Sequence, residues 1–132
     1  MDALKKLLVF IPLFVALGLW SNGISAQTLN GLSNAELVGL TENGITLKLG
    51  AKGEGYQGSL KLSANGTGKG KATTDSGQTI VLSGTWHIVG DKFCRTWKGQ
   101  DAGKEVCETW VAKSDRSVDV FNGDQRLGLN SW

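Results

Sequence analysis

The chain has 132 residues, a net charge of +2 at neutral pH, one histidine and two cysteines. A balance this near neutral gives no electrostatic case for nucleic acid or an anionic membrane surface as a partner. With 19 glycines and a single proline, the composition suits short strands joined by tight turns.

The first segment reads as an export signal. Lys5 and Lys6 precede an apolar run from Leu7 to Leu19, broken only by Pro12 and Gly18, and Ile24-Ser25-Ala26 ends on a small residue. That order of basic, apolar and small residues is the secretory pattern. The 13 residues of the run would span only about 20 Å as a helix, short of the roughly 30 Å hydrocarbon core. No cysteine lies near Ala26 to carry a lipid. Residues 1–26 are therefore expected to be removed, leaving 27–132 as one β-rich exported domain, periplasmic or secreted and not embedded in the membrane. Loss of Lys5, Lys6 and Asp2 lowers the net charge by one.

Next comes a short helix. Ser33 is placed to cap Asn34–Val38, Glu36 completes a capping box, and Gly39 is expected to end it. Ile45, Leu47 and Leu49 then alternate with polar residues, as do Leu60 and Leu62, which is the period of half-buried strands. Asn65-Gly66 is a strong hairpin signal, because a type I′ turn needs positive φ at both central residues. The returning run, Thr67 to Thr74, carries glycine and lysine and almost nothing apolar, so it reads as an exposed edge strand.

The second half permits a register. Thr79–Val89, Lys92–Lys98 and Lys104–Ala112 read as successive strands. A turn at Gly90-Asp91 sets Ile88 opposite Phe93, His87 opposite Cys94 and Trp86 opposite Arg95. A turn centred on Gln100-Asp101 sets Cys94 opposite Cys107, Arg95 opposite Val106 and Trp97 opposite Lys104. Directly opposed cysteines in an exported chain point to one disulfide. Alternation then gathers Ile80, Leu82, Trp86, Ile88, Phe93, Trp97, Val106 and Trp110 on one face, with His87 and the cysteines on the other. Val118/Val120 and Leu127/Leu129 flank a last hairpin at Asn122-Gly123-Asp124. The expected fold is mainly β: a single antiparallel meander of seven or eight strands, forming a small barrel or curled sheet.

Little in this pattern suggests catalysis. There is no Ser-His-Asp set, no metal-ligand cluster and no phosphate loop leading into a helix, and His87 falls on the outer face. The expectation is a non-enzyme with no catalytic residues, no metal and no cofactor. Two charges do interrupt the apolar face: Arg95, and Glu108 opposite Phe93. An unpaired buried charge is costly, so these diagonal neighbours are expected to pair, with Arg95 also stacking on Trp86. The pair is either a structural contact at the barrel's open end or, with Trp86, Trp97 and Trp110, the wall of a pocket for a small polar ligand. Trp132 is expected to seal a barrel end.

Leu32-Ser33-Asn34-Ala35-Glu36-Leu37, Gly84-Thr85-Trp86, Gly90-Asp91, Phe93-Cys94-Arg95, Trp97 and Cys107 together resemble a pattern in small exported proteins of α-proteobacteria, rhizobia especially. That family is of unknown function, so the resemblance implies an envelope or secreted location and no catalytic residues. The functional expectation is a binding domain for a small polar ligand or an envelope protein. Two specific alternatives are an envelope-enzyme inhibitor of the lysozyme-inhibitor kind, with the Gly99–Gly103 tip as its inserting loop, and a lipocalin-like small-molecule carrier.

Overall fold

The computed structural model describes residues 30–132; the expected signal segment and its cleavage point lie outside the described residues. Helix α1 (Asn34–Thr41) leads into eight strands: β1 (Ile45–Ala51), β2 (Tyr56–Leu62), β3 (Thr67–Thr74), β4 (Thr79–Val89), β5 (Lys92–Trp97), β6 (Val106–Ser114), β7 (Ser117–Asn122) and β8 (Gln125–Ser131). They form an antiparallel meander that closes into a barrel, each strand pairing with its sequence neighbours and β1 with β8. The closing seam is short, with only Lys48↔Ser131 and Leu49↔Asn130 in register.

The expected register of the second half is present at its central positions. His87 faces Cys94, Trp86 faces Arg95, Cys94 faces Cys107 and Arg95 faces Val106, and the two cysteines form the disulfide. The Asn65-Gly66 turn is present but is not type I′: of the two residues only Gly66 has positive φ, at 94°, and the Asn65 side chain instead accepts from the Thr67 N–H at 3.1 Å. Three further expectations need correction, each for a tertiary reason.

Helix α1 does not stop at Gly39 but runs to Thr41. Ser33 and Glu36 do form the capping box. Burial of Leu37 and Thr41 against the barrel outweighs the roughly 1 kcal/mol that an interior glycine costs a helix.

Strand β3 is not an edge. It pairs with β2 on one side and β4 on the other. Its small inward residues are what the interior requires, since a Cβ on Gly68 would lie 2.8 Å from Cη2 of Trp97. The missing side chain admits the indole, while Lys69 and Lys71 point outward.

The β5–β6 ladder ends at Arg95↔Val106, so Trp97 does not pair with Lys104. Trp97 pairs instead with Gly84 of β4. The chain beyond it leaves the sheet through a short 3-10 turn at Asp101–Gly103. Asp101 and Ala102 have φ of 51° and 57°, a left-handed conformation that non-glycine residues seldom adopt.

The two ends of the barrel differ. At one end α1 plugs the opening: Leu37 is 0% exposed, the Leu32 N–H donates to the Trp110 carbonyl at 2.7 Å, and Asn34 ties the helix to the Gly90-Asp91 turn. The Asn34 backbone N–H donates to Asp91 Oδ1 at 2.7 Å, and its side-chain amide donates to the Gly90 carbonyl at 2.6 Å. Trp132 packs against this end, half-buried. Below the plug, Phe93 stacks between Trp86, at 5.8 Å, and Trp110, at 4.6 Å. The opposite end, ringed by the β1–β2, β3–β4, β5–β6 and β7–β8 turns, carries no α-helix among the described residues, only the short 3-10 turn at Asp101–Gly103.

Candidate functional site: the barrel cavity

The uncapped end opens into a cavity of about 280 Å³. Its wall is mostly aliphatic and aromatic, with Leu49, Leu60, Leu82, Trp97 and Val120 around the sides and Phe93 and Trp110 at the floor. Against this apolar surface stand the polar side chains of Tyr56, Arg95, Gln100, Asp101, Glu108 and Asn130. A largely apolar concavity with a few convergent polar groups is the usual form of a small-molecule site.

Arg95 and Glu108 meet as their diagonal placement required. Arg95 Nε donates to Glu108 Oε2 at 2.8 Å, and the other carboxylate oxygen accepts from the Trp110 indole N–H at 2.9 Å. Glu108 is only 7% exposed. Burial pushes its carboxyl above the usual carboxylate range, and the Arg95 charge and the Trp110 hydrogen bond oppose that rise. Burial also pulls Arg95 down, but the Glu108 and Asp101 carboxylates outweigh it and hold the guanidinium above its ordinary value.

Of the residues singled out from the sequence, Arg95, Glu108, Trp97 and Trp110 line the cavity. Trp86 does not. Its ring lies on Phe93 rather than on Arg95, and its indole N–H donates to the Thr67 carbonyl at 3.0 Å, so it belongs to the closed end. The disulfide faces outward from the same strands. There His87, Cys94 and Glu105 bring ligand-type atoms within 4.8 Å of one another, but the Cys94 sulfur is committed to the disulfide.

Three cavity residues escaped the sequence. Asp101 reaches back from the β5–β6 loop to place Oδ2 on Arg95 Nη1, a contact between positions that a regular hairpin would separate. Tyr56 crosses the closing seam, its hydroxyl oxygen accepting from the Leu129 N–H at 3.0 Å. Any Cβ at Gly128 would collide with that hydroxyl, and burial pushes the phenol upward from its ordinary value. Asn130, 9% exposed, also lines the cavity, and its side-chain amide has no hydrogen-bond partner among the described residues. The alternation of Leu127, Leu129 and their neighbours signalled a strand, but the register shift at Val120/Phe121 sets Asn130, rather than Leu129, opposite the buried Val118 and so turns it inward.

No family model, curated protein or solved structure matches this chain.

Proposed function

We propose that this protein is an exported, non-catalytic carrier whose barrel holds a small molecule with an apolar body and a polar head. The observation that carries the proposal is the unmet polar group inside the cavity. A buried side-chain amide without a partner costs on the order of 1–3 kcal/mol, and Asn130, 9% exposed, meets none among the described residues while it stands beside an ion pair and an apolar wall. A core built only for stability would fill the space and leave no such group.

Export is supported by the basic, apolar and small-residue order over Lys5–Ala26, and by a disulfide, which persists best in oxidising compartments. Among the described residues, no helix is long and apolar enough to cross a membrane. The resemblance to small exported α-proteobacterial proteins points to the same location.

The test is a titration of the purified, disulfide-bonded protein with a library of envelope metabolites and cell-wall fragments, followed by tryptophan emission. Trp97 and Trp110 line the cavity, so an occupant should give a saturable change that competes between related ligands. Silence across the library, with thermal stability equally unmoved, would refute the carrier function and direct attention to protein partners.

A further inference from the structure

The cavity's polar groups are not evenly satisfied, and the imbalance indicates a ligand class. Both oxygens of Glu108 already accept hydrogen bonds, one from Arg95 and one from Trp110. Arg95 is only partly engaged. Its Nε serves Glu108 and its Nη1 serves Asp101, while Nη2 has no partner among the described residues. The Asn130 Nδ2 also has no acceptor among the described residues, so a ligand carrying acceptors would satisfy both donors.

Asp101 already supplies one such acceptor, from outside. Its side chain is 46% exposed while that of Arg95 is 11% exposed. It meets the guanidinium through one nitrogen, although the arginine fork is built to hold a carboxylate through two. The loop that delivers it holds two non-glycine residues at positive φ, Asp101 and Ala102, between Gly99 and Gly103 at φ of 76° and 72°. Backbone held this way at the mouth of a site stores strain that its release can return.

Building on the carrier function, we infer that Asp101 stands in for the carboxylate of the ligand, and that the cavity takes a small carboxylic acid whose carboxylate displaces Asp101 from Arg95. One carboxylate replaces another, so the cavity's charge is unchanged and no uncompensated ion is buried. The incoming group reaches Nη1 and Nη2 together, its apolar body lies along Leu60, Leu82 and Trp97, and the Gly99–Gly103 loop swings off the mouth. No covalent step is involved.

Three probes of matched chain length separate the head-group chemistries: octanoate, 1-octanol and octylammonium, each titrated into the disulfide-bonded protein. Asp101→Asn and Asp101→Gly are the informative variants, because both residues tolerate positive φ and remove the competing charge. Octanoate is expected to bind more tightly than either other probe. If Asp101 occupies Arg95 about nine-tenths of the time, both variants should tighten octanoate about tenfold and leave 1-octanol unchanged. Amide NMR signals of Gly99–Gly103 should shift with octanoate and stay in place with 1-octanol.

An octanoate affinity no better than that of the alcohol or amine overturns the inference, as does one untouched by both variants. In those cases binding of another probe leaves the carrier function standing. If none of the three binds, the inference falls, and the library titration judges the carrier function separately.

Discussion

The two ends of this barrel are made from the same strands, yet they have been put to different uses. The closed end spends its large side chains on each other: Leu37 is sealed under the helix, and Trp86, Phe93 and Trp110 form one stack. The open end leaves space between Leu60, Trp97 and Val120, and sets charged groups around it. The difference shows how a barrel of about a hundred residues can hold a cavity. One end supplies the packing that lets the other remain incomplete.

The largest expected effect breaks the open end. Arg95→Ala leaves Glu108 buried without its partner, a loss of about 3–5 kcal/mol, measurable by urea unfolding at neutral pH. The pH dependence follows from the sign of the Glu108 shift. Its carboxyl is raised in the folded protein above its ordinary 4.5, so the folded state holds the proton more firmly than the unfolded chain. That contribution is fully present below the unfolded value and is lost as pH rises through the folded one. Without Arg95 the carboxyl rises further, so the penalty of Arg95→Ala should shrink as the pH falls toward 4.5. A penalty equal at both pH values would show that Glu108 is not the stranded charge.

Leu37→Ala tests the closed end. Truncating a fully buried leucine costs about 2–5 kcal/mol, and thermal melting should register it. If the division of labour holds, ligand response at temperatures where the variant is folded should persist. Loss of both together would mean that the ends are coupled.

Replacing both cysteines by alanine opens a loop with a sequence separation of 13, a loss of about 3 kcal/mol in the chain-entropy account. The effect should concentrate on the β5–β6 seam, where only three residue pairs stand in register. Hydrogen exchange should therefore rise in β5 and β6 more than in β1 and β2.

The smallest effect on stability should come from Ala72→Phe. Ala72 lines the cavity from β3, so the added ring enters existing space and its cost should fall at the low end of the roughly 1–3 kcal/mol of an overpacked core. Ligand response should vanish even so. A variant that binds as before would place the ligand elsewhere.

Local signals carried most of the secondary structure. Ser33 with Glu36 marked the start of α1, Asn65-Gly66 and Gly90-Asp91 marked turns, and the two turn positions around β5 put Cys94 opposite Cys107 and Arg95 beside Glu108. These are short-range rules of hydrogen bonding, φ and strand alternation, and they act whatever the rest of the chain does. They misled where a distant partner had the deciding role. β3 looked like an edge because its inward side chains are small, and they are small because Trp97 fills that space from another strand. Gly39 looked like a stop because a glycine is costly in a helix, but burial at Leu37 and Thr41 is worth more.

Local patterns along the chain were enough to show that its described part is a β-meander, where its turns fall, which cysteines meet, and that a charged pair interrupts an apolar face. These follow from period-two alternation and turn chemistry, both set by neighbours along the chain or directly across a hairpin. Tertiary contacts alone set β1 against β8 and bring Asp101 back to Arg95, while a bulge in the β7–β8 hairpin turns Asn130 inward. The first two depend on closing the sheet or folding a loop over its mouth, and closure is a property of all eight strands together, which no local pattern encodes.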